Sequence, residues 1–125
     1  MSNILVVDDD PSIVEIIQFL LKKEGHAISI ARDGKSGLAM AQELRPDLIV
    51  LDVMLPEMDG FIVSGSLFKD PTMRGIPILI LTAKGYSRNI FELVPNVRIY
   101  MDKPFEPEEL LQNVRKLLPP KAKIA

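Results

Sequence analysis

The chain has 125 residues, 47% of them hydrophobic and 26% charged, with a formal net charge of −2. This is the composition of one globular domain with its own core, and it gives no sign of nucleic-acid binding through bulk electrostatics. The absence of cysteine excludes disulfides, thiolate metal sites and a thiol nucleophile. With no apolar stretch near the ~20 residues of a membrane span and no signal-peptide pattern at Met1–Asn3, the sequence predicts a cytoplasmic protein.

Strand-like and helix-like segments alternate from the N-terminus onwards. The strands are short, apolar and rich in β-branched residues, as buried parallel strands are. The predicted elements, in chain order, are a strand at Asn3–Val7, a helix capped by Asp10 that begins at Pro11 and ends at Gly25, a strand at Ala27–Ala31, a helix that follows the turn Asp33–Gly34 and stops before Pro46, a strand at Asp47–Leu51, a helix at Phe61–Lys69, strands at Ile76–Leu81 and Val97–Met101, and a helix at Pro107–Leu118. This order predicts an all-parallel sheet with helices on both faces.

The stretch between Thr82 and Val97 has the weakest helix pattern. Ser87 can cap a short helix at Arg88–Val94, which Pro95 would end. Two turns are marginally stable without tertiary support. We therefore expect a short fourth helix, and the fastest hydrogen exchange of the chain in residues 85–96.

Polar groups stand at or close to the C-terminal ends of four predicted strands. Asp8 and Asp9 follow the first strand, Asp52 follows the third, Thr82 follows the fourth, and Lys103 stands just beyond the fifth. The C-terminal ends of parallel strands meet at one edge of a sheet, which is where ligands bind in open α/β folds. The sequence therefore predicts a site for a divalent metal ion and a phosphoryl group at this edge.

Three carboxylates in one place require a cation. Asp8, Asp9 and Asp52 would otherwise raise each other's pKa values. Mg²⁺ suits them because it is a hard ion that takes one or two carboxylates together with waters and a phosphate, and the backbone carbonyl of Met54 is a candidate for a further ligand. A carboxylate beside bound Mg²⁺ can attack a phosphoryl donor and form an aspartyl phosphate. Lys103 would supply a point charge for the phosphoryl oxygens.

Four stretches of the sequence carry a resemblance to a known family. They are ILVVDDD at Ile4–Asp10, LDVMLPEMDGF at Leu51–Phe61, ILTAK at Ile80–Lys84 and KPF at Lys103–Phe105. Each motif is weak alone, but four in order at family spacing are a strong signal. On these motifs, essentially the whole chain resembles the receiver domain of a two-component response regulator. The resemblance implies a flavodoxin-like (βα)5 three-layer α/β sandwich with a five-stranded parallel sheet of order 2-1-3-4-5.

The resemblance also implies a role for each carboxylate. Asp52 is expected to accept a phosphoryl group from a histidine kinase or a phosphotransfer protein. Mg²⁺ is the expected cofactor, held by Asp8, Asp9, Asp52 and the backbone carbonyl of Met54. The domain is then a signalling module and not an enzyme, although it catalyses its own phosphotransfer and a slow dephosphorylation.

A conformational switch is implied by the same resemblance. Thr82 and Lys103 would contact the phosphoryl group, and Tyr100 matches the aromatic residue that turns inward when Thr82 moves. The responding surface would consist of the fourth helix, the fifth strand and the last helix. The alternative for Tyr100 is a plain, partly buried aromatic side chain.

The expected domain comprises residues 1–118, followed by a tail or the start of a linker at residues 119–125. The motif around Asp52 is similar to that of transcription regulators with a winged-helix output. We therefore expect a downstream effector or an output domain outside this chain, no direct binding of nucleic acid or membranes by this domain, and a monomer or a phosphorylation-dependent dimer.

The sequence departs from the family pattern before the fifth strand. Residues Leu93–Val97 stand where receivers commonly carry a Gly-Ala pair, and the segment from Thr82 to Lys103 is about one residue short. The departure concerns the fourth helix and its surface. It leaves the catalytic positions unchanged.

Two other functions remain open at this point. Asp8–Ser12 resembles the D-x-D-x-T signature of haloacid-dehalogenase-type phosphatases, with Asp8 as nucleophile and Asp10 as acid/base. Alternatively, the chain is a pseudo-receiver, a docking module that keeps the fold without using the site.

Several residues have plain structural interpretations. Asp59 is expected to cap a helix, and His26 to be exposed in a charged loop. The side chains of Met54 and Met58 are expected to pack in their loop. The Lys103–Pro104 bond is either a cis bond that aims the lysine or an ordinary trans bond.

Overall fold

The structure, a computed structural model, describes residues 2–55, 58–83 and 95–118. Its strands are β1 Asn3–Val7, β2 Ala27–Ala31, β3 Leu48–Asp52, β4 Ile78–Ala83 and β5 Val97–Lys103, and its helices are α1 Pro11–Lys23, α2 Gly34–Leu44, α3 Gly60–Lys69 and α4 Pro107–Leu117. The helix predicted at Arg88–Val94 lies outside the described residues, as do the predicted hydrogen-exchange maximum, apart from Pro95 and Asn96, and the tail at residues 119–125. No helix in the described part of the chain is long and apolar enough to span a membrane.

All five strands form one parallel sheet. The order is β2-β1-β3-β4-β5, which confirms the predicted order. The pairs β1–β2, β1–β3, β3–β4 and β4–β5 are each parallel. Because β1 and β3 are neighbours in the middle of the sheet, the residues at their C-terminal ends lie side by side.

The sheet separates two apolar layers, which completes the predicted three-layer sandwich. One layer packs α2 and α3 on the sheet through residues such as Ala41, Val63 and Leu67. The other packs α1 and α4 through residues such as Ile17 and Leu110. Alternate residues along β1, β3 and β4 enter opposite layers, as the period of two in a strand requires. In β5 a register shift interrupts this alternation, so Val97 and Ile99 enter opposite layers.

Local signals in the sequence explain where the helices begin and end. Asp10, Asp33 and Asp59 each cap a helix by accepting a hydrogen bond from a backbone N–H of the first turn. The role predicted for Asp59 is thus confirmed. Gly25 has φ 91° after α1, and the N–H groups of Gly25 and His26 donate to the carbonyls of Lys22 and Leu21. This is a Schellman end, as Gly25 predicts.

Several boundaries differ from the prediction by one or two residues. Leu48 rather than Asp47 begins β3. Asp47 contacts the start of β1, because its backbone N–H donates to the carbonyl of Asn3 and its side chain accepts from the N–H of Asn3, both at 2.8 Å. Pro77 does not belong to β4. The fifth strand continues past Met101 because Asp102 and Lys103 still pair with Thr82 and Ala83.

The predicted exposure of His26 is wrong. The residue is buried, with 9% of its surface exposed. Its Nδ1 atom accepts a hydrogen bond from the backbone N–H of Ser2 at 3.4 Å. The charged neighbours in the sequence suggested a solvated loop, but His26 directly precedes β2 and packs under the N-terminal segment.

Candidate functional site

The predicted site residues meet at the C-terminal edge of the sheet. Asp8 follows β1, Asp52 is the last residue of β3 and Lys103 is the last residue of β5. The Nζ atom of Lys103 lies 3.0 Å from Oδ2 of Asp8 and 3.4 Å from Oδ2 of Asp52. The long lysine side chain therefore reaches from the edge strand across β4 to the two carboxylates in the middle of the sheet.

Asp8 is a fully buried carboxylate, with 0% of its surface exposed. Its Oδ1 atom accepts a hydrogen bond from the backbone N–H of Asp10 at 2.9 Å, and its Oδ2 atom accepts one from Lys103 at 3.0 Å. Charged groups tolerate burial when they are paired in this way. Each oxygen of the buried Asp8 carboxylate thus has a hydrogen-bond donor.

The carboxylates are arranged in a way that fits a divalent cation. Asp8, Asp9 and Asp52 each place one carboxylate oxygen within 4.8 Å of the others. Asp8 and Asp52 are buried, whereas Asp9 is exposed, so the cluster opens to solvent on the side of Asp9. An all-oxygen, carboxylate-rich set with access for water suits Mg²⁺ better than zinc or copper.

Burial and like charge oppose the ionisation of Asp52. Burial raises the pKa of Asp52 to about 6, and the charge of Asp8 acts in the same direction, while Lys103 and the N–H of Met54 act against it. For Lys103, burial lowers the pKa, but the hydrogen bond that it donates to Asp8 and the charges of Asp52 and Asp8 outweigh burial and raise the pKa above its ordinary value. At neutral pH Lys103 is therefore charged. It lies beside Asp52, whose ionisation is opposed by burial and by the charge of Asp8.

Because ionisation of Asp52 is unfavourable in the folded protein, we expect an Asp52→Asn variant without metal to differ from the parent in its free energy of unfolding. We expect the variant to be more stable than the parent protein by about 1–2 kcal/mol at roughly pH 7.5, after discounting for solvent access to the cleft. An acid whose pKa rises on folding from 3.8 to about 6 contributes stability that is full below the lower value and lost as the pH rises through the higher one. The advantage of the variant should therefore vanish near pH 4. Urea denaturation in EDTA at the two pH values measures it, and an equal advantage at both would contradict this account.

Close backbone contacts hold the loop that follows Asp52. The backbone N–H of Met54 donates to Oδ1 of Asp52 at 3.3 Å, and that of Gly60 donates to the carbonyl of Val53 at 2.9 Å. A Cβ atom at Gly60 would lie 2.7 Å from the carbonyl oxygen of Asp52, and one at Gly34 would overlap the carbonyl group of Met58. The described parts of this loop, at Val53–Met54 and at Met58–Gly60, thus pack closely against β3 and the start of α2.

The methionines of this loop differ. Met58 packs against the layer that contains α2 and α3, which agrees with the prediction. Met54 has 60% of its surface exposed, so the predicted packing of its side chain is wrong. The backbone of Met54 lies at the site while its side chain points into solvent.

The contact at Gly34 predicts a large effect of one added methyl group. Gly34→Ala should lower the free energy of unfolding by about 1–3 kcal/mol, because the backbone of α2 or of the loop must move. Gly65→Ala is the matched control, since a Cβ atom there meets nothing within 4 Å. Alanine in that helix interior should raise stability by about 0.5–1 kcal/mol. Chemical denaturation of both variants measures the difference, and similar effects at the two glycines would contradict the structure.

The proposed switch residues lie on neighbouring strands. Thr82 is fully buried, and its Oγ1 atom donates a hydrogen bond to Oδ1 of Asp102 at 3.0 Å. Tyr100 is partly buried and packs against the layer that contains α2 and α3. Tyr100 pairs with Ile80 and Asp102 pairs with Thr82, so Tyr100 and Asp102 share one face of β5. The hydroxyl of Thr82 donates to β5 and not to Asp52.

Asp102 is a site residue that the sequence analysis missed. The apolar pattern of β5 stops at Met101, so the predicted strand ended before Asp102. The signal that was available is its position directly before Lys103. The Lys103–Pro104 bond is cis, the first of the two alternatives that the sequence left open.

Comparison with known proteins agrees with this fold and geometry. A family model described as the response regulator receiver domain matches residues 4–115. The chain is 42% identical over 119 residues to the DNA-binding dual master transcriptional regulator RpaA of Synechocystis sp., covering 94% of this chain and 49% of RpaA. It resembles the solved structure of the chemotaxis response regulator CheY4 of Vibrio cholerae with a TM-score of 0.87 and 32% identity, covering 94% of this chain and 99% of CheY4.

A third relative bears on the metal. The receiver domain of the sensor histidine kinase PA1611 of Pseudomonas aeruginosa matches with a TM-score of 0.83 and 26% identity, over 93% of this chain and 96% of that one. That structure holds a magnesium ion coordinated in its active-site cleft. In the present chain an acidic cluster of Asp8, Asp9 and Asp52 lies at the C-terminal edge of the sheet.

The chain belongs to the response regulator receiver domain family, and its fold is flavodoxin-like. It is a receiver domain of the two-component type, which is a signalling domain and not an enzyme in the usual sense. The chain spans about half the length of the curated relatives it matches.

Proposed function

We propose that this domain is a phosphoacceptor switch in which Asp52 takes a phosphoryl group from a histidine kinase or a phosphotransfer protein, in a reaction that depends on Mg²⁺. One observation carries the proposal. The ammonium group of Lys103 lies 3.0 Å from Asp8 and 3.4 Å from Asp52, and the exposed carboxylate of Asp9 stands beside them. Such a set of charges suits phosphoryl transfer, which needs positioning and charge neutralisation.

The buried and the exposed carboxylates have different roles in this proposal. Asp8 and Asp9, with Asp52 and the backbone carbonyl of Met54, would hold the metal ion. Bound Mg²⁺ would neutralise part of the negative charge that otherwise keeps a phosphoryl donor away from Asp52. Asp8 is already fixed by its backbone hydrogen bond from Asp10. The ion and its waters would enter from the side of Asp9, which is open to solvent.

Asp52 is the nucleophile of the proposed transfer. One of its carboxylate oxygens forms a bond to phosphorus while the bond from phosphorus to the donor nitrogen of a phosphohistidine breaks, and the leaving imidazole keeps the electron pair. Asp52 reacts in its ionised form, which predominates above its pKa of about 6. Lys103 remains charged throughout and supplies a point charge for the phosphoryl oxygens.

The output of the switch would pass through β4 and β5. Thr82 donates its hydroxyl to a phosphoryl oxygen in the phosphorylated state, and Tyr100 turns inward as Thr82 moves. Both residues lie on the strands nearest the edge of the sheet, so the surface that includes β5 and α4 changes. We propose that this surface controls a downstream effector or an output domain in the cytoplasm, and that the receiver itself does not contact DNA.

Two features speak against the phosphatase alternative. That mechanism needs Asp8 as the nucleophile and Asp10 as the acid/base. The carboxylate of Asp10 caps α1 by accepting a hydrogen bond from the N–H of Ser12 at 2.9 Å. Asp10 is also outside the acidic cluster, which comprises Asp8, Asp9 and Asp52.

The test is intact-protein mass spectrometry after incubation with acetyl phosphate. We expect one phosphoryl adduct that requires both Mg²⁺ and Asp52. Omission of Mg²⁺ and an Asp52→Asn variant are the controls. Phosphorylation that persists in Asp52→Asn would refute the assignment of the acceptor. A folded protein that binds Mg²⁺ but takes no phosphoryl group from acetyl phosphate or a phosphohistidine donor would favour the pseudo-receiver.

A further inference from the structure

Asp102 and Thr82 form a contact between the edge strand and its neighbour. They are directly paired residues of β5 and β4, and the hydroxyl of Thr82 donates to Oδ1 of Asp102 at 3.0 Å. Thr82 is fully buried, whereas Asp102 is exposed. Since β4 lies between β5 and β3, the hydroxyl donates away from the strand that carries Asp52.

This hydrogen bond competes with the one that the switch requires. A threonine hydroxyl has one proton and therefore donates one strong hydrogen bond at a time. The carboxylate of Asp102 only accepts, and so do the oxygens of an ionised phosphoryl group. Thr82 must give up Asp102 before it can donate to a phosphoryl group on Asp52.

We infer that Asp102 is a positioning residue that holds the hydroxyl of Thr82 in the unphosphorylated orientation and so sets how readily the domain switches. The inference rests on the proposed function. It adds a restraint on the switch that is built into β5 itself. The consecutive residues Asp102 and Lys103 then act in opposite ways, since Lys103 favours the phosphoryl group and Asp102 retains the hydroxyl that would bind it.

The experiment measures the affinity for beryllofluoride, a stable analogue of the phosphoryl group, by isothermal titration calorimetry in excess Mg²⁺. The parent protein pays for breaking the bond between Thr82 and Asp102 when the analogue binds, and Asp102→Ala does not. A hydrogen bond to a charged acceptor is strong enough for an affinity gain of about tenfold in Asp102→Ala. Asp102→Asn keeps the shape and a neutral acceptor oxygen, so a smaller gain is expected.

Two controls separate this role from a general effect of charge. Glu106→Ala removes an exposed carboxylate three positions beyond Lys103 that makes no side-chain capping hydrogen bond, and its affinity should equal that of the parent. In a Thr82→Ala background there is no hydroxyl to restrain. There, Asp102→Ala should change the affinity by less than about twofold. Thermal unfolding of each variant verifies that it is folded.

The outcomes distinguish the inference from the function on which it rests. Tighter binding in Asp102→Ala that disappears in the Thr82→Ala background supports the inference. An unchanged affinity, or the same gain without the threonine hydroxyl, overturns it while leaving the phosphoacceptor function in place. A parent protein that neither binds beryllofluoride with Mg²⁺ nor takes up a phosphoryl group overturns both.

Discussion

Removing the ammonium group of Lys103 is expected to destabilise the metal-free protein by about 2–3 kcal/mol at neutral pH, because two carboxylates then share a buried site without a cation. Asp8 has 0% of its surface exposed and depends on Lys103 for one of its two partners. The loss is smaller than that of a wholly buried pair, since 21% of the lysine side chain is exposed. Urea denaturation of Lys103→Ala in EDTA gives the value.

Arg115→Ala is the matched control for this loss. Arg115 forms an ion pair with Glu24 at 2.8 Å, which is shorter than either lysine contact, but 51% of its side chain is exposed. An exposed pair of this kind contributes less than about 1 kcal/mol. Added Mg²⁺ should restore more stability to Lys103→Ala than to the parent, since it takes the place of the missing cation. Equal losses in the two variants would show that burial does not set the strength of the lysine pair.

Loss of the exposed carboxylate of Asp9 is expected to weaken Mg²⁺ binding by about 10- to 100-fold while leaving stability without metal almost unchanged. Asp9 makes one side of the acidic cluster, and its exposure means that the fold does not depend on it. Isothermal titration calorimetry of Asp9→Asn with MgCl₂ measures the affinity. The same variant in a denaturation experiment measures the stability.

Asp10→Asn separates ligation from the general effect of negative charge. Asp10 is the next residue in the sequence and is equally exposed, but its carboxylate caps α1 at Ser12 and is not part of the cluster. Asparagine retains the capping oxygen. The affinity of Asp10→Asn for Mg²⁺ should fall by no more than about threefold, as expected for a screened charge near the site. A loss as large as that in Asp9→Asn would remove Asp9 from the ligand set.

The fold was predictable because the helices and strands are indicated by local sequence patterns. Apolar, β-branched runs gave all five strands, and Asp-Pro, Asp59 and Gly25 marked the helix ends. The errors concern tertiary contacts that no local pattern contains. Asp102 belongs to β5 because it pairs with Thr82, the continuation of β4. His26 is buried and accepts a hydrogen bond from the backbone N–H of Ser2, which is distant in the sequence.

The candidate site was predictable in its members and less so in its geometry. The positions of Asp8, Asp52 and Lys103 at strand ends sufficed to bring them together. The sequence did not indicate that Asp8 would be wholly buried and Asp9 exposed. Which of two adjacent residues at a strand end faces the interior depends on how the chain turns there. The partner of Thr82 and the close approach of Gly34 to Met58 depend on packing between elements that are distant in the sequence.

Burial differs between the central strand and the β5 edge of the sheet. All five residues of β3, including Asp52, are buried, whereas in β5 only Val97 and Met101 are buried and the other five residues are partly or fully exposed. The proposed phosphorylation of Asp52 thus takes place on the central strand of the sheet, where displacing a residue is energetically most unfavourable. Its consequences would be read on β5 at the edge of the sheet, which is nearer to solvent and where small changes of position cost less. A phosphoryl group can then rearrange the periphery of the domain while the strand to which it is attached stays still.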